Sequence, residues 1–232
     1  MSVAQQFIQT KAISGHADRL KILKGFFRAM PSWAVITIII GVLLLLFSFP
    51  GKFSIGLFLF GLIGAGLGGF FIYDWLKYGK YGAEIGQWLE EAKAELVERA
   101  TEKLDLDPKK QRIEPVIIMP PLFPGAIMRA GADKVLRHSA FDFNVLLCEA
   151  KELGIYECNF WFSRGQISEE ITNQYFYKDI VSISIAHGNN GNILEITTAG
   201  GTKMAYAFTQ QELQTAEQGV NAIRKIIRDH KS

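Results

Sequence analysis

Residues 33–76 read WAVITIIIGVLLLLFSFPGKFSIGLFLFGLIGAGLGGFFIYDWL, and this stretch decides the fold. It contains two apolar runs, residues 33–49 and 54–76, which are separated by Pro50, Gly51, Lys52 and Phe53. No charged residue occurs between positions 33 and 49 or between positions 54 and 73. A helix of about 20 apolar residues is long enough to cross the hydrocarbon core of a bilayer. The sequence therefore predicts a membrane protein with a transmembrane helical hairpin.

Basic side chains lie outside both ends of this predicted hairpin. They are Lys21, Lys24 and Arg28 before the first run, and Lys77 and Lys80 after the second. The connecting loop has only Lys52. Lysine and arginine residues close to membrane helices stay on the cytoplasmic side. We therefore expect both termini in the cytoplasm, and we take the five flanking basic residues as candidate contacts for lipid headgroups.

The N-terminal segment, residues 1–32, has five basic residues but a single acidic one, Asp18. Ser14 and Gly15 are expected to divide it, and residues 17–30 have the pattern of a basic amphipathic helix. Such a helix can lie in the plane of the headgroups, with its basic side chains reaching anionic lipid. The alternative is a simple cytoplasmic extension of the first membrane helix.

Small residues recur along the second apolar run. The candidate helix-packing residues are Gly61, Gly64, Ala65, Gly68 and Gly69. Gly64 and Gly68 form a GxxxG pair, a spacing that allows two helix backbones to approach closely in a membrane. The partner is either the first run of the same chain or another subunit, and the sequence does not separate these alternatives.

Little in the sequence points to catalysis. No ionisable residue lies within residues 33–49 or 54–72, and Asp74 is expected at the cytoplasmic edge, which argues against the hairpin as a transport path by itself. The four histidines lack metal-ligand spacing, and no phosphate-binding loop or nucleophile elbow is present. Cys148 and Cys158 are expected in the core. A formal net charge of +2 gives no support to nucleic-acid binding. We therefore expect no enzyme activity, cofactor, metal or nucleic-acid partner.

Residues 77–112 are predicted to form a stalk helix that ends near Leu104 and a polar linker, residues 105–112, in which Pro108 stops the helix. Apolar residues recur at helical spacing, and an acidic stripe occupies another face. The stripe contains Glu91, Glu95, Glu98 and Glu102. It is either an ordinary solvated face or a docking surface for a basic partner. Glu95 and Arg99 have the spacing of an intrahelical ion pair.

Residues 113–232 have the pattern of a soluble domain of strands closed by one helix. Residues 116–125 are apolar but rich in proline, which excludes an interior strand. Strands are predicted near residues 153–163, 166–177, 178–185, 192–198 and 203–209, and a helix near 211–229. Residues 140–151 fit either a helix or a strand. In the third strand, simple alternation places Ile180, Ser182 and Ser184 on one face and Val181, Ile183 and Ile185 on the other.

The order of these elements carries a resemblance. The phrase YKDIVSI at residues 177–183 precedes a strand with Leu194 and Ile196, a hairpin at Gly200 and Gly201, an aromatic strand ending at Phe208, and one helix. Residues 134–230 therefore resemble bacterial PH-like and GRAM-like domains. The resemblance implies a small β-barrel or sheet plugged by a C-terminal helix, acting as a binding module. Arg129, Lys134 and Arg137 come closest to the basic cluster that a phosphoinositide-type site requires.

Together these patterns predict an α+β membrane protein of a bacterial inner membrane. The expected function is a scaffold or subunit of a larger membrane assembly that binds protein partners through its cytoplasmic domain. One alternative is a lipid-binding or membrane-shaping protein at the membrane surface. Another is an accessory subunit of a transporter or secretion machine. Membrane lipid, other proteins and further copies of the chain are the expected partners.

Overall fold

The computed structural model describes residues 8–48, 54–122, 124–188 and 191–231 and shows a mixed α+β protein. Within these residues the helices are α1 (Lys11–Ser14), α2 (Ala17–Phe26), α3 (Ser32–Phe47), α4 (Ile55–Lys77), α5 (Gly82–Lys103) and α6 (Leu213–Lys231). The strands are β1 (Ile8–Gln9), β2 (Val116–Ile118), β3 (Met128–Ala130), β4 (Leu136–His138), β5 (Phe141–Cys148), β6 (Glu152–Trp161), β7 (Gln166–Phe176), β8 (Ile180–Gly188), β9 (Gly191–Thr198) and β10 (Lys203–Phe208). The predicted loop at residues 49–52 lies outside the described residues.

The chain forms two compact units. The helical unit comprises Lys21–Gln87 and Ile127–Arg137, and the sheet unit comprises Met1–Leu20, Trp88–Ala126 and His138–Ser232. β3 and the turn after it are therefore part of the helical unit, although the strands that follow in sequence are part of the sheet unit.

In the helical unit, α3 and α4 approach each other closely at glycine residues. A Cβ atom placed at Gly41 would lie 2.5 Å from the main-chain nitrogen of Ala65. A Cβ atom at Gly68 would lie 2.6 Å from the carbonyl oxygen of Ala34, and one at Gly61 would lie 2.8 Å from that of Gly41. Side chains at these positions would force the helix backbones apart, so the glycines are what allow the close approach.

The remaining surface of this helix pair is apolar and exposed. The large exposed side chains include Ile36, Ile39, Leu46, Phe47, Leu59, Phe60, Ile63 and Phe70. By length and composition, α4 belongs to the one helical stretch among the described residues that is able to cross a membrane. α3 spans 16 residues and is shorter than a usual crossing. The second crossing of the predicted hairpin therefore stays a prediction.

The sheet unit is built on a five-stranded antiparallel sheet with the strand order β1-β7-β6-β5-β2. β5 is a strand, which settles the ambiguity of residues 140–151; Phe143 pairs with Cys158 of β6. β2 is short and lies at an edge, as its neighbouring prolines require. The other edge is β1, where Ile8 pairs with Ile167.

A second, three-stranded antiparallel sheet has the order β10-β9-β8, and both sheets are open. Its apolar side chains form a core with α6 and one face of the five-stranded sheet. That core contains Leu146, Leu153, Ile155, Ile180, Ile183, Leu194, Ile196, Phe208, Val220, Ile223 and Ile227. The predicted hydrophobic stripe of the last helix is confirmed.

The predicted alternation along β8 is wrong. The register with β9 shifts between Ile180 and Ser182, which makes Val181 the extra residue of a β-bulge. As a result Ile180 and Ile183 both face the core, whereas the Val181 side chain is exposed. A strict two-residue period cannot anticipate a bulge.

The other face of the five-stranded sheet is also buried, and α5 is attached to it. The guanidinium group of Arg99 donates from Nε to Oε1 of Glu170 at 2.6 Å and from Nη2 to Oε2 at 2.9 Å. The hydroxyl group of Tyr156 donates to Glu170 at 2.5 Å. The predicted Glu95–Arg99 pair is therefore wrong, because Arg99 turns to the sheet.

The structure also differs from the sequence predictions for α5 and α2. α5 is not a free stalk, since Ala92, Leu96 and Ala100 are fully buried. α2 ends at Phe26 and not near residue 30, and Leu23 and Phe26 on its apolar side are fully buried inside the protein. The apolar side of α2 is therefore not free to enter lipid, whereas contact of its exposed basic side with headgroups stays a prediction.

Candidate functional site

The acidic stripe on α5 divides into two halves with different environments. The Glu91 carboxylate accepts from Nη1 of Arg19 at 2.5 Å, and this guanidinium lies 5.2 Å from the centre of the Trp88 ring. The Glu95 carboxylate accepts from the main-chain N–H groups of Lys11 and Ala12, at 2.6 and 2.5 Å. These N–H groups open α1, where helix donors need acceptors. Glu91 and Glu95 therefore hold the N-terminal segment of their own chain.

Glu98 and Glu102 form the other half, and both are exposed. They lie along a groove of about 490 Å³ between α5 and the linker after it. The groove is lined by Ala94, Val97, Glu98, Thr101, Glu102, Leu106, Pro108 and Gln111. The groove is therefore mainly apolar, and the carboxylates of Glu98 and Glu102 lie along one side of it, one helical turn apart.

Three of the five predicted headgroup contacts come together in the helical unit. Lys21, Lys24 and Arg28 line one pocket of about 230 Å³, together with Gly25, Asp74, Trp75 and Tyr78. Lys77 and Lys80 are not part of its lining. Lys77 forms an ion pair with Asp74, and the Lys80 ammonium lies 5.0 Å from the centre of the Tyr81 ring.

The pocket depends on a close approach at Gly25. A Cβ atom at this position would lie 2.5 Å from the ring of Tyr78, so a larger residue would displace that ring. The indole Nε1–H of Trp75 donates to the carbonyl oxygen of Arg28 at 2.9 Å. Arg28 also lies 3.7 Å from Asp74. These contacts join the end of α2 to the end of α4 and leave a cavity lined by cations between them.

Arg129 lies against two residues of this pocket. It is 7% exposed, and its guanidinium carbon lies 3.9 Å from the centre of the Trp75 ring and 5.0 Å from that of Phe26. Its Nη1 donates to the carbonyl oxygens of Phe26 (2.7 Å) and Gly25 (3.4 Å), and its Nη2 donates to that of Trp75 (2.7 Å). One side chain therefore satisfies carbonyl groups in the last turns of two helices. Burial lowers the pKa of Arg129.

The basic cluster suggested by the PH-like resemblance is not assembled as an open site. Arg129 points inward, and Arg137 binds Asp133 through both guanidinium nitrogens, at 2.9 and 2.6 Å. The hydrogen bonds from Arg137 lower the pKa of Asp133. Both arginines therefore have structural partners, and the phosphate-binding expectation at this cluster is not supported.

The predicted helix-packing residues differ in whether they lie close to α3. Gly61, Ala65 and Gly68 face α3, and a Cβ atom at Gly64 would lie 3.5 Å from the Cα atom of Gly41. A Cβ atom at Gly69 would meet nothing within 4 Å. Gly69 therefore does not face α3, and its packing against another subunit stays a prediction, whereas the other four residues lie at the contact with α3.

The two cysteine thiols and the possible metal ligands do not form a site among the described residues. Cys148 and Cys158 are buried, as expected, and burial raises the pKa of Cys148 to about 11 and that of Cys158 to about 12. Within residues 8–48, 54–122, 124–188 and 191–231, no three His, Cys, Asp or Glu side chains are grouped where they could hold a metal ion.

Sequence reasoning missed Gly25, Trp75 and Tyr78 as pocket residues, and it assigned Arg129, which contacts the pocket from behind, to a different cluster. Arg129 acts on residues about 100 positions earlier in the chain, so no local pattern predicts its role. Comparison of the chain with protein-family models, with curated proteins and with solved structures finds no match.

Proposed function

We propose that this chain is a non-enzymatic, membrane-anchored scaffold that binds a protein partner on its soluble part. The observation that carries the proposal is the groove beside α5, where Glu98 and Glu102 flank apolar residues. A scaffold of this kind needs a surface that recognises a partner and an anchor that holds it at the membrane, and the chain has a candidate for each.

The groove fits an amphipathic helix. Its volume of about 490 Å³ is in the range of sites that take a few large apolar groups. Val97 and Leu106 supply apolar walls, and the two carboxylates stand on the side, one turn apart. A helix that places apolar anchors in the groove and lysine or arginine beside them matches both features. The opposite charges would speed association and fix the orientation of the partner.

The anchor is the α3–α4 pair. We propose that both helices cross the inner membrane of a bacterium, with both termini in the cytoplasm. The exposed apolar side chains of both helices support this, because apolar surface of that extent is stable in lipid and not in water. The basic residues beyond the outer ends of the pair support the orientation.

We further propose that residues 134–230 form a PH-like binding module. The order of β5 to β10 followed by α6 agrees with the order in that family, and α6 packs on the three-stranded sheet. His230 donates from Nε2–H to the Ala150 carbonyl oxygen at 2.7 Å, and Lys231 donates to the Ile180 carbonyl oxygen at 2.5 Å, so the helix end is fixed to the strands.

Site-specific photo-crosslinking tests the scaffold proposal. A photoreactive amino acid at Val97 should capture one protein species with a basic amphipathic helix, and the double variant Glu98→Lys/Glu102→Lys should abolish the product. The matched control places the photoreactive group at Glu217, which is exposed on α6. Equal capture at both positions, or capture that survives the charge reversal, would contradict the proposal. Capture of a second copy of this chain would identify the scaffold as a homo-oligomer.

A further inference from the structure

We propose that the pocket lined by Lys21, Lys24, Arg28, Trp75 and Tyr78 binds the phosphate group of an anionic lipid. The chemistry it recognises is a phosphate anion, and the lipid is the source we assign. The assignment of a lipid source rests on the proposed membrane anchoring of α4, whereas the anion site itself stands on the contacts of the helical unit.

The donors of the pocket converge from one end of α2. Lys21 and Lys24 are one helical turn apart and exposed, and Arg28 follows just after the helix. Each ammonium group has three donors, and a guanidinium group presents a planar fork that matches two phosphate oxygens. The volume of about 230 Å³ is several times the ~30 Å³ that one water occupies, which leaves room for a phosphate group.

The charge of the pocket is not cancelled by its acidic residue. Asp74 is the acidic side chain in the lining, against three basic ones. Its carboxylate already binds Lys77, and Arg28 is farther away at 3.7 Å. A net positive charge therefore remains where the three basic side chains meet, and it is compensated most directly by an anion.

Arg129 removes an obstacle to anion binding at this place. The pocket lies at the C-terminal ends of α2 and α4, where unpaired carbonyl groups would repel a phosphate. Arg129 donates to the carbonyl groups of Gly25, Phe26 and Trp75. Within the part of the chain that the structure describes, Arg129 forms no ion pair, so its positive charge is not neutralised by a carboxylate. It adds to the positive potential behind Trp75.

The position of the pocket at the end of the proposed membrane helix α4 indicates that the phosphate group belongs to a lipid. α4 has 23 residues, which at 1.5 Å per residue is about 34 Å, close to the thickness of a bilayer hydrocarbon core. Trp75 lies in the last turn of α4, and Tyr78 follows it, a position typical of the aromatic belt at the membrane interface. The phosphate layer of the lipids lies at this level.

The test uses the full-length protein in a neutral detergent with added phosphatidylglycerol or phosphatidylcholine, and native mass spectrometry counts the retained lipid. We expect the wild-type chain to retain phosphatidylglycerol at least tenfold better than phosphatidylcholine. The variant Lys21→Gln/Lys24→Gln/Arg28→Gln should lose this preference. The variant Lys103→Gln/Lys109→Gln/Lys203→Gln makes the same change in net charge at exposed positions outside the pocket and should keep it.

Lys24→Gln alone should weaken retention about tenfold, because one charge-assisted hydrogen bond is worth about that factor. Its exposed position leaves folding unaffected, which circular dichroism checks. Equal losses in the pocket and control variants, or equal retention of the two lipids, would overturn the proposal. Stabilisation by inorganic phosphate without any retention of phosphatidylglycerol would overturn the lipid source.

Extraction of membranes with alkaline carbonate separates this inference from the proposed function. A chain that carbonate releases, but that still binds phosphatidylglycerol through Lys24, would contradict the membrane anchor and keep the anion site. A chain that resists extraction but shows no lipid preference would keep the anchor and remove the site.

Discussion

The helical unit and the sheet unit treat apolar side chains in opposite ways. In the sheet unit, Tyr156 and Phe160 are fully buried, as in any water-soluble domain. In the helical unit, Phe60 is 70% exposed and Phe47 is 68% exposed, and the glycines are what lie at the contact between helices. The difference teaches that the two units pack by different rules: large side chains fill the interior of the sheet unit, whereas in the helical unit they stay outside, the pattern expected of helices that are surrounded by lipid.

A half-buried arginine of the sheet unit, Arg99, and a buried arginine of the helical unit, Arg129, also differ in what they bind. Arg99 binds the carboxylate of Glu170, so the pair is neutral. Arg129 binds carbonyl groups and aromatic rings, so its positive charge is retained. The first arginine fastens a helix to a sheet. The second fastens two helix ends together and also leaves a charge beside a pocket.

The largest effect is expected from overpacking the helix contact. Gly68→Leu should destabilise the helical unit by about 3 kcal/mol, since its side chain would meet the backbone of Ala34. Gly66→Leu is the matched control, because a Cβ atom there meets nothing within 4 Å. Unfolding with sodium dodecyl sulfate, followed by tryptophan fluorescence, measures the difference. Equal stability of the two variants would show that α3 and α4 do not pack as described.

The second effect concerns the carbonyl-bound arginine. Arg129→Met should destabilise the helical unit by about 2–3 kcal/mol, because carbonyl groups at the ends of α2 and α4 lose their donors. Arg129→Lys should recover only part of this, since an ammonium group cannot reach acceptors on both sides as the planar fork does. The same detergent unfolding experiment ranks the variants, and full recovery with lysine would contradict the account.

The third effect is the pH dependence of the stability that the ion pair between Arg99 and Glu170 contributes. Burial raises the pKa of Glu170, but the hydrogen bonds from Arg99 and Tyr156 outweigh this, so its pKa is below the ordinary 4.5. A lowered carboxyl pKa adds stability above pH 4.5 that disappears as the pH falls through the native pKa. Arg99→Met should therefore cost about 2 kcal/mol at pH 7 and less at pH 3.

Urea unfolding of the sheet unit in the full-length protein, at several pH values, measures this trend. Lys93→Met is the control, since Lys93 pairs with the exposed Glu90 and should matter little at any pH. An Arg99→Met defect that stays constant from pH 7 to pH 3 would show that the Glu170 charge is not what the arginine stabilises.

The smallest effects distinguish the two halves of the acidic stripe. Glu95→Gln should cost about 1 kcal/mol, because it weakens a charged acceptor at the start of α1. Glu91→Gln should cost about 0.5 kcal/mol, as expected for a partly exposed ion pair. Glu98→Gln should leave stability unchanged. Thermal unfolding ranks the three, and a large loss at Glu98 would contradict its role as a partner-binding residue.

Local patterns predicted much of the fold, because they report periodicity and composition. The apolar run of α4, the strands β6 to β10 and the buried stripe of α6 all follow from spacing alone. Proline correctly predicted that β2 is not an interior strand. These features depend on residues that are close together in the sequence.

Features that depend on distant residues were not predicted. β1 has two residues and gains its place only by pairing with β7. Glu95 has the spacing for an ion pair with Arg99, but its carboxylate accepts hydrogen bonds from the main-chain N–H groups at the start of α1 instead. Lys21, Lys24 and Arg28 were identified as basic, but their pocket exists only because Gly25 lets Tyr78 approach. Such choices are made by tertiary contacts and not by local propensity.

The most direct test of the membrane account is the accessibility of single cysteines introduced in place of Lys52 and Lys80. The native thiols form a silent background, since burial raises the pKa of Cys148 to about 11 and that of Cys158 to about 12. A membrane-impermeant maleimide added to intact spheroplasts should label Lys52→Cys but reach Lys80→Cys only after lysis. Labelling of Lys52→Cys only after lysis would contradict the proposal that α3 and α4 both cross the membrane.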